Sequence, residues 1–136
     1  MINNRTKYAI RALWQLAESK DHFSTSEAIA HAHNIPVKFL PQILSDLSRA
    51  GMVRSVRGFG GGVRLSRPPE KISLLEILEV TQGNIFMYDT LMRSAGGRRE
   101  PDNELMKVYR KAQDAMKAEF GRVSLGDLKS KGKRKR

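Results

Sequence analysis

The stretch from Asn34 to Leu65 constrains the fold more than any other part of this 136-residue chain, because its periodicity changes halfway along. Four apolar residues in its first half recur at three- and four-residue steps, which predicts a helix with one apolar face. They are Leu40, Ile43, Leu44 and Leu47. Gly51 follows as a helix stop, because glycine adopts the left-handed conformation at little cost. Two short strand-like segments then flank a glycine-rich turn, and together they predict a hairpin.

The opposite face of this helix carries hydrogen-bond donors and positive charge. Its members are Lys38, Gln42, Ser45 and Arg49. Such a face suits a negatively charged partner rich in acceptors, and an α-helix fits the major groove of DNA. A polar-faced helix followed by a basic, glycine-tipped hairpin is typical of a winged helix-turn-helix. The predicted fold class is mainly α with a small β-hairpin, extended by a long C-terminal dimerisation helix.

Caps and periodicity predict the remaining helices and the domain limits. The predicted helices are Asn4–Glu18, Thr25–His31, Pro41–Arg49, Ser73–Gln82 and Asp102–Phe120. Gly121 is predicted to end the long helix, and Ser24 is predicted to cap the second helix. We expect a DNA-binding domain over 1–83, a connecting loop and dimerisation helix over 84–128, and a disordered basic tail over 129–136.

The net charge of +11 favours a polyanionic partner, and nucleic acid is the first expectation. The chain has no cysteine, which excludes disulfides, cysteine nucleophiles and thiolate metal sites. No apolar run approaches the length of a membrane span, and the N-terminus lacks the apolar core of a signal peptide. We therefore expect a cytoplasmic protein that does not bind membranes.

The run from Phe39 to Leu65 resembles the Rrf2 family of winged helix-turn-helix transcription regulators, whose members include an iron–sulfur cluster regulator and a nitric-oxide-sensing repressor. The segment Ser55–Gly62, SVRGFGGG, carries the most specific similarity. Arg5–Leu13 and Val123–Leu128 also resemble family segments. The resemblance covers nearly the whole chain apart from the basic tail, and it implies DNA binding at the second helix of the motif and at the wing.

The predicted DNA-binding residues are chosen from this resemblance and from the polar and basic residues of the predicted helices and hairpin. They are Arg5, Lys7, Val37, Lys38, Phe39, Gln42, Ser45, Arg49, Arg54, Arg57, Gly58, Gly60, Gly61 and Arg64. The resemblance places Val37, Lys38 and Phe39 at the base-facing start of the recognition helix and Arg57 at the base of the wing, within reach of the minor groove. Many family members carry a polar residue where Pro41 stands, so this position differs from the family pattern.

A continuous apolar stripe marks one face of the long C-terminal helix. Its members are Leu105, Tyr109, Ala112, Met116 and Phe120. A helix this long, far from a small core, needs a partner to bury that stripe, and a second copy of the chain is the expected partner.

Cluster-binding members of the family carry three cysteines before the long helix, and this chain has none. We therefore expect no iron–sulfur cluster and no other metal or cofactor. An unidentified small-molecule effector or a regulatory protein is the remaining kind of signal. His22, His31 and His33 are more typical of a polar helix end than of a metal site, and no set of catalytic residues is apparent.

These observations predict a homodimeric, sequence-specific repressor acting on a palindromic operator, and not an enzyme. Three alternatives remain open from the sequence alone. The first is a sequence-blind nucleic-acid-binding or architectural protein, the second an adaptor that has lost DNA binding, and the third a protein that binds anionic membranes through its tail. No motif in the sequence identifies the operator, the target genes, the signal, the choice between repression and activation or the contribution of the tail.

Overall fold

A computed structural model describes residues 2–58, 61–82 and 103–128. The helices are α1 (Asn4–Glu18), α2 (Ser26–His33), α3 (Leu40–Arg49), α4 (Leu74–Gln82) and α5 (Asn103–Arg122). The strands are β1 (Phe23–Ser24), β2 (Val53–Val56) and β3 (Gly62–Leu65). Short 3₁₀ turns occupy Lys20–His22 and Pro69–Lys71, and a helical turn covers 125–128. The predicted fold class, mainly helical with a small sheet, is confirmed.

Helix α1 has the bounds predicted from its periodicity. The Asn3 side chain caps it by accepting a hydrogen bond from the backbone N–H of Thr6 at 2.9 Å. Ala9, Leu13 and Leu16 are fully buried on its inner face. The cap and the apolar face explain why this segment is helical, since one satisfies a free N–H group and the other packs on the core.

Helix α2 begins and ends later than predicted. Its cap is Thr25, whose hydroxyl accepts from the N–H of Ala28 at 3.1 Å, and the prediction of Ser24 as the cap is wrong because Ser24 lies in β1. The helix ends at His33, where Asn34 takes the expected left-handed conformation with φ of 53°. The turn to α3 then follows, as a helix-turn-helix requires.

The three strands form one antiparallel sheet in the order β1–β3–β2. Val53, Val63 and Leu65 are buried on the face that meets the helices. Strand β1 was not predicted, because two residues are too few to show an alternating pattern. A Cβ atom on Gly62 would lie 2.4 Å from the carbonyl oxygen of Ser24, so glycine at this position allows β3 to approach β1 closely.

A buried hydrogen-bonded node joins the start of α1 to the end of α4. The hydroxyls of Thr6 and Thr81, 0% and 5% exposed, lie 2.7 Å apart. Thr6 also donates to Oε1 of Gln82 at 2.9 Å, and Thr81 donates to the carbonyl of Ile77 at 2.8 Å. Oε1 of Gln82 accepts a further bond from the backbone N–H of Asn3 at 2.8 Å.

Helix α5 continues through Gly121 to Arg122, so the predicted end at Gly121 is wrong. A Cβ atom there would lie 3.6 Å from Cδ2 of Leu75, in ordinary contact with α4, and the helix tolerates this glycine in its last turn. Ser124 and Asp127 then cap each other's backbone N–H groups, as predicted.

After α5 the chain returns to the core through what we call the C-terminal clasp, residues 72–74 paired with 123–125. The N–H of Leu74 donates to the carbonyl of Val123 at 2.8 Å, and the N–H of Leu125 donates to the carbonyl of Ile72 at 2.8 Å. Leu125 and Ile72 are fully buried. The clasp therefore fixes the C-terminal end of α5 to the domain that holds α3.

The N-terminal half of α5 leaves apolar side chains in solvent. Leu105 is 48% exposed, Val108 64% and Tyr109 36%, whereas Met116 and Phe120 are half-buried. Ala112 is also exposed. No structural finding tests the three predicted domain limits, and residues 84–102 and 129–136 lie outside the described residues. Among the helices described, none has both the length and the apolar character that crossing a membrane requires.

Candidate nucleic-acid interface

The start of α3 presents an exposed aromatic and basic surface. A turn over 37–39 precedes the helix, and Pro41 sits in its first turn, where a missing N–H costs little. Val37 is 74% exposed and Phe39 46%. The ring of Phe39 stacks on Tyr8 of α1 with centroids 6.2 Å apart, and Nζ of Lys38 lies 5.1 Å from the Phe39 centroid. Phe39 thus links α1 to the predicted base-facing start of α3.

Polar residues line the exposed face of α3 beyond this start. Gln42, Ser45 and Arg49 are all exposed, in line with their spacing. Sequence reasoning missed Asp46, which is 7% exposed and lies beneath them. Its carboxylate forms ion pairs with Arg5 and Arg49 and accepts a hydrogen bond from Nε2 of Gln42 at 3.0 Å.

We call Arg5, Gln42, Asp46 and Arg49 the Asp46 cluster. It connects the first turn of α1 to the middle of α3. Lys7, the other predicted contact on α1, is exposed, and the described residues contain no ion-pair partner for it. The contact between Gln42 and Asp46 could have been predicted from the sequence, because residues four positions apart on a helix lie next to each other.

The wing, β2 and β3 with the turn between them, carries the remaining predicted contacts. Arg54 and Arg57 are exposed. Gly58 has φ of +106°, which favours glycine, and the N–H of Gly61 donates to the carbonyl of Gly58 at 2.9 Å. Gly60 lies outside the described residues.

Gly61 meets a steric requirement of the turn and has no positive φ. Positive φ occurs at Gly51 and Gly58 among the described glycines, and Gly61 does not share it. A Cβ atom on Gly61 would lie 2.6 Å from the carbonyl oxygen of Val56 and 3.0 Å from that of Gly58. Close backbone approach in the turn therefore explains this glycine.

Arg64 has packing contacts in addition to its predicted role. It is half-buried on β3, where the strand register places it opposite both Phe23 and Arg54. Its guanidinium lies 5.9 Å from the Phe23 ring centroid, which gives the cation a favourable partner next to a like charge. Contact of Arg64 with DNA stays a prediction, as it does for the other predicted site residues.

His33 makes a polar contact with α1 at the end of α2 and is not part of a metal site among the described residues. Its Nε2 lies 2.8 Å from Oε1 of Gln15, and the Trp14 ring meets its edge with centroids 5.9 Å apart. Burial, aided by repulsion from Arg11, lowers the pKa of His33 below 6.5. Within 2–58, 61–82 and 103–128, no three His, Cys, Asp or Glu side chains converge on a possible metal position.

A family model described as an iron-dependent transcriptional regulator, Rrf2, matches residues 2–131. Among curated proteins, the chain is 40% identical over 88 residues to Protein aau3 of Rhizobium meliloti, covering 65% of this chain and 57% of that protein. It is 29% identical over 130 residues to the transcriptional regulator CymR of Bacillus subtilis, covering 95% and 89%. The chain spans 57 to 66% of the length of the first three relatives.

Solved structures agree with this assignment at the level of the fold. CymR, the global cysteine regulator of B. subtilis, superimposes with a TM-score of 0.77 at 25% identity, covering 96% of each chain. IscR of T. potens gives a TM-score of 0.76 at 23% identity, covering 97% of this chain and 88% of that one.

The iron in the family description does not fit the donor set of this chain as a thiolate-bound cluster. Iron–sulfur clusters are held by cysteine thiolates, and this chain has no cysteine. The family match itself spans residues 2–131, which include the helix-turn-helix, the wing and the C-terminal clasp. The chain belongs to the Rrf2 family of DNA-binding transcription regulators, which are not enzymes.

Proposed function

We propose that this protein is a homodimeric repressor that binds a palindromic operator through α3 and the wing, without an iron–sulfur cluster. The observation that carries the proposal is the exposure of donors both at α3 and on the wing, Lys38, Gln42 and Ser45 at α3 and Arg54 and Arg57 on the wing. A helix in the major groove reads base edges with such donors, and the wing arginines reach the phosphates or the minor groove.

The apolar side chains of α5 support the homodimer. Leu105, Val108 and Tyr109 form an apolar surface whose members are 48%, 64% and 36% exposed. A second copy supplies the matching surface through an isologous contact, in which the same patch serves both subunits. The two-fold axis of such a dimer places two α3 helices in successive major grooves, about one helical turn apart, so the operator is an imperfect palindrome.

The absence of cysteine supports regulation by something other than a cluster. The signal is either a small-molecule effector or a regulatory protein, because the sequence predicts no cofactor-binding residues. Repression follows if the dimer occludes a promoter, and a chain that acts on genomic DNA works in the cytoplasm of a bacterium. The net charge of +11 makes sequence-blind binding to nucleic acid the competing function.

The test begins with selection of bound duplexes from a random library, which finds an operator wherever it lies in a genome. The selected duplex and a scrambled duplex of equal composition are then titrated in gel shifts at about 50 mM and about 200 mM salt. We expect a palindromic selected sequence, binding by a dimer, and a clear preference for it at both salt concentrations. Equal affinity for both duplexes would support the sequence-blind function instead.

Two substitutions separate base reading from phosphate contact. Lys38→Ala and Gln42→Ala should alter the preference among operator variants with single base changes, because both side chains are exposed at α3. An equal loss of affinity on every sequence would assign these residues to phosphate contact. Sedimentation analysis of the same proteins gives the oligomeric state, which should remain a dimer.

A further inference from the structure

The Asp46 cluster places a buried carboxylate under a surface proposed to bind a polyanion. Asp46 is 7% exposed, whereas its partners Arg5 and Arg49 are 44% and 72% exposed at their side chains. The carboxylate itself is therefore shielded from solvent, while both guanidiniums remain at the surface. A negative charge at this place opposes binding to DNA, so its presence needs a specific reason.

Stability alone is a weak reason. A buried ion pair often contributes little net stability compared with a well-packed apolar side chain, because the charges lose their hydration. The neighbouring buried positions of α3, Leu40, Ile43 and Leu47, are apolar. An apolar residue at position 46 would continue that face, so the role of Asp46 lies with the side chains that it contacts.

Asp46 orients the amide of Gln42. A carboxylate has no hydrogen to donate, so the amide nitrogen of Gln42 must face it, and the two atoms are 3.0 Å apart. This bond uses one of the two N–H groups of the amide. The other N–H group and Oε1 are left for a ligand, and these are the donor and the acceptor that adenine requires in the major groove.

Asp46 also limits how strongly Arg5 and Arg49 attract phosphate. Each guanidinium is already paired with the carboxylate, so a phosphate must compete with an interaction that is present in the free protein. The net charge of the three groups is +1, since two guanidiniums and one carboxylate are counted. Without the carboxylate both arginines become available for sequence-independent contacts.

We propose that Asp46 is a specificity-determining residue, which positions Gln42 for base contact and restrains Arg5 and Arg49 from phosphate contact. The inference rests on the proposed function, because it assumes that α3 enters the major groove. It predicts that removing this negative charge strengthens binding to a random duplex but not to the operator, where the gained phosphate contacts are offset by the lost base contact of Gln42, and so weakens discrimination.

Asp46→Asn tests the proposal, because asparagine keeps the shape and one acceptor oxygen but removes the charge. Two additional phosphate contacts should tighten binding to a random duplex about tenfold at about 50 mM salt and steepen its salt slope by about 1 to 2. The ratio of operator affinity to random-duplex affinity should fall at least about tenfold. Asp114→Asn is the matched control, since it removes an equal charge from the exposed side of α5 and should change neither the ratio nor the slope.

A second comparison decides the matter even if Asp46→Asn does not fold. Arg49→Gln leaves Asp46 paired with Arg5, and it should lower random-duplex affinity less than Lys7→Gln, which removes an exposed cation with no such restraint. An equal or greater loss for Arg49→Gln would overturn the proposal.

The outcomes also separate this inference from the proposed function. If the wild-type protein prefers its operator and a folded Asp46→Asn protein keeps the wild-type ratio and slope, the role of Asp46 is refuted while the repressor stands. If Asp46→Asn weakens binding to both duplexes in proportion, Asp46 is only structural. If the wild-type protein binds both duplexes equally, the proposed function fails and this inference fails with it.

Discussion

The buried node between α1 and α4 gives a prediction whose size follows from counting hydrogen bonds. The two hydroxyls hold one hydrogen each, so at most two of the node's three hydroxyl contacts are hydrogen bonds at once, and Thr6→Val removes one such bond. Thr81 then still donates to Ile77, and Gln82 still accepts from the N–H of Asn3, so no partner becomes an orphan. At about 0.5 to 1.5 kcal/mol for a neutral bond, the expected loss in the free energy of unfolding is about 1 kcal/mol.

Thr81→Val removes the other hydroxyl hydrogen, and Thr6 then still donates to Gln82. Each single variant therefore keeps the bond of the remaining hydroxyl to its own acceptor. The double variant loses both bonds, so its loss should equal the sum of the two single losses to within about 0.5 kcal/mol.

Urea unfolding of all four proteins at one protein concentration measures this cycle. Equal concentrations are needed because the stability of a dimer depends on concentration. A loss of about 1 kcal/mol should also lower the melting temperature by roughly 3 to 6 °C for a chain of this size. A double variant that loses at least about 1 kcal/mol less than that sum would refute the reasoning, because it would show that the contact between the two hydroxyls is itself a stabilising hydrogen bond.

Three further predictions concern the wing and the pH dependence. Arg57→Ala should weaken operator binding about threefold to tenfold in gel shifts while sedimentation shows an intact dimer, and unchanged affinity would contradict the role of the wing base. Gly61→Val places a side chain 2.6 Å from the Val56 carbonyl, so thermal melting should show a loss of about 1 to 3 kcal/mol and gel shifts should show weaker binding. A variant that melts and binds like the wild type would mean that the turn relaxes freely. Because the pKa of His33 is lowered on folding, the unfolded chain takes up its proton first as the pH falls below 6.5. Stability should therefore be highest well above pH 6.5 and decline as the pH falls through that value, and His33→Gln should reduce the decline in urea midpoints. Equal declines in both proteins would exclude His33 as the cause.

Periodicity and caps predicted the helices well where both signals were local. The bounds of α1 follow from the cap at Asn3 and a regular apolar face, and α3 follows from its apolar spacing and Gly51. Helix α5 runs past Gly121 because the helix packs on α4, a tertiary effect that outweighs the low propensity of glycine in its last turn.

Features that depend on distant pairing were harder to predict. Strand β1 has two residues and forms only because β3 pairs with it, so no local sequence pattern predicts it. The node of Thr6 and Thr81 joins residues 75 positions apart. The Asp46 cluster forms because the start of α1 lies over the middle of α3, and no segment of the sequence taken alone reveals that arrangement.

The C-terminal clasp has a consequence for the spacing of half-sites. It anchors one end of α5 to the core that also orients α3, through backbone bonds at Leu74 and Leu125. In a dimer built through α5, the distance between the two α3 helices is then fixed by the protein. Each base pair added between half-sites moves one of them by about 3.4 Å and rotates it by about 35°. An operator with altered spacing can therefore contact only one α3 helix of the dimer at a time.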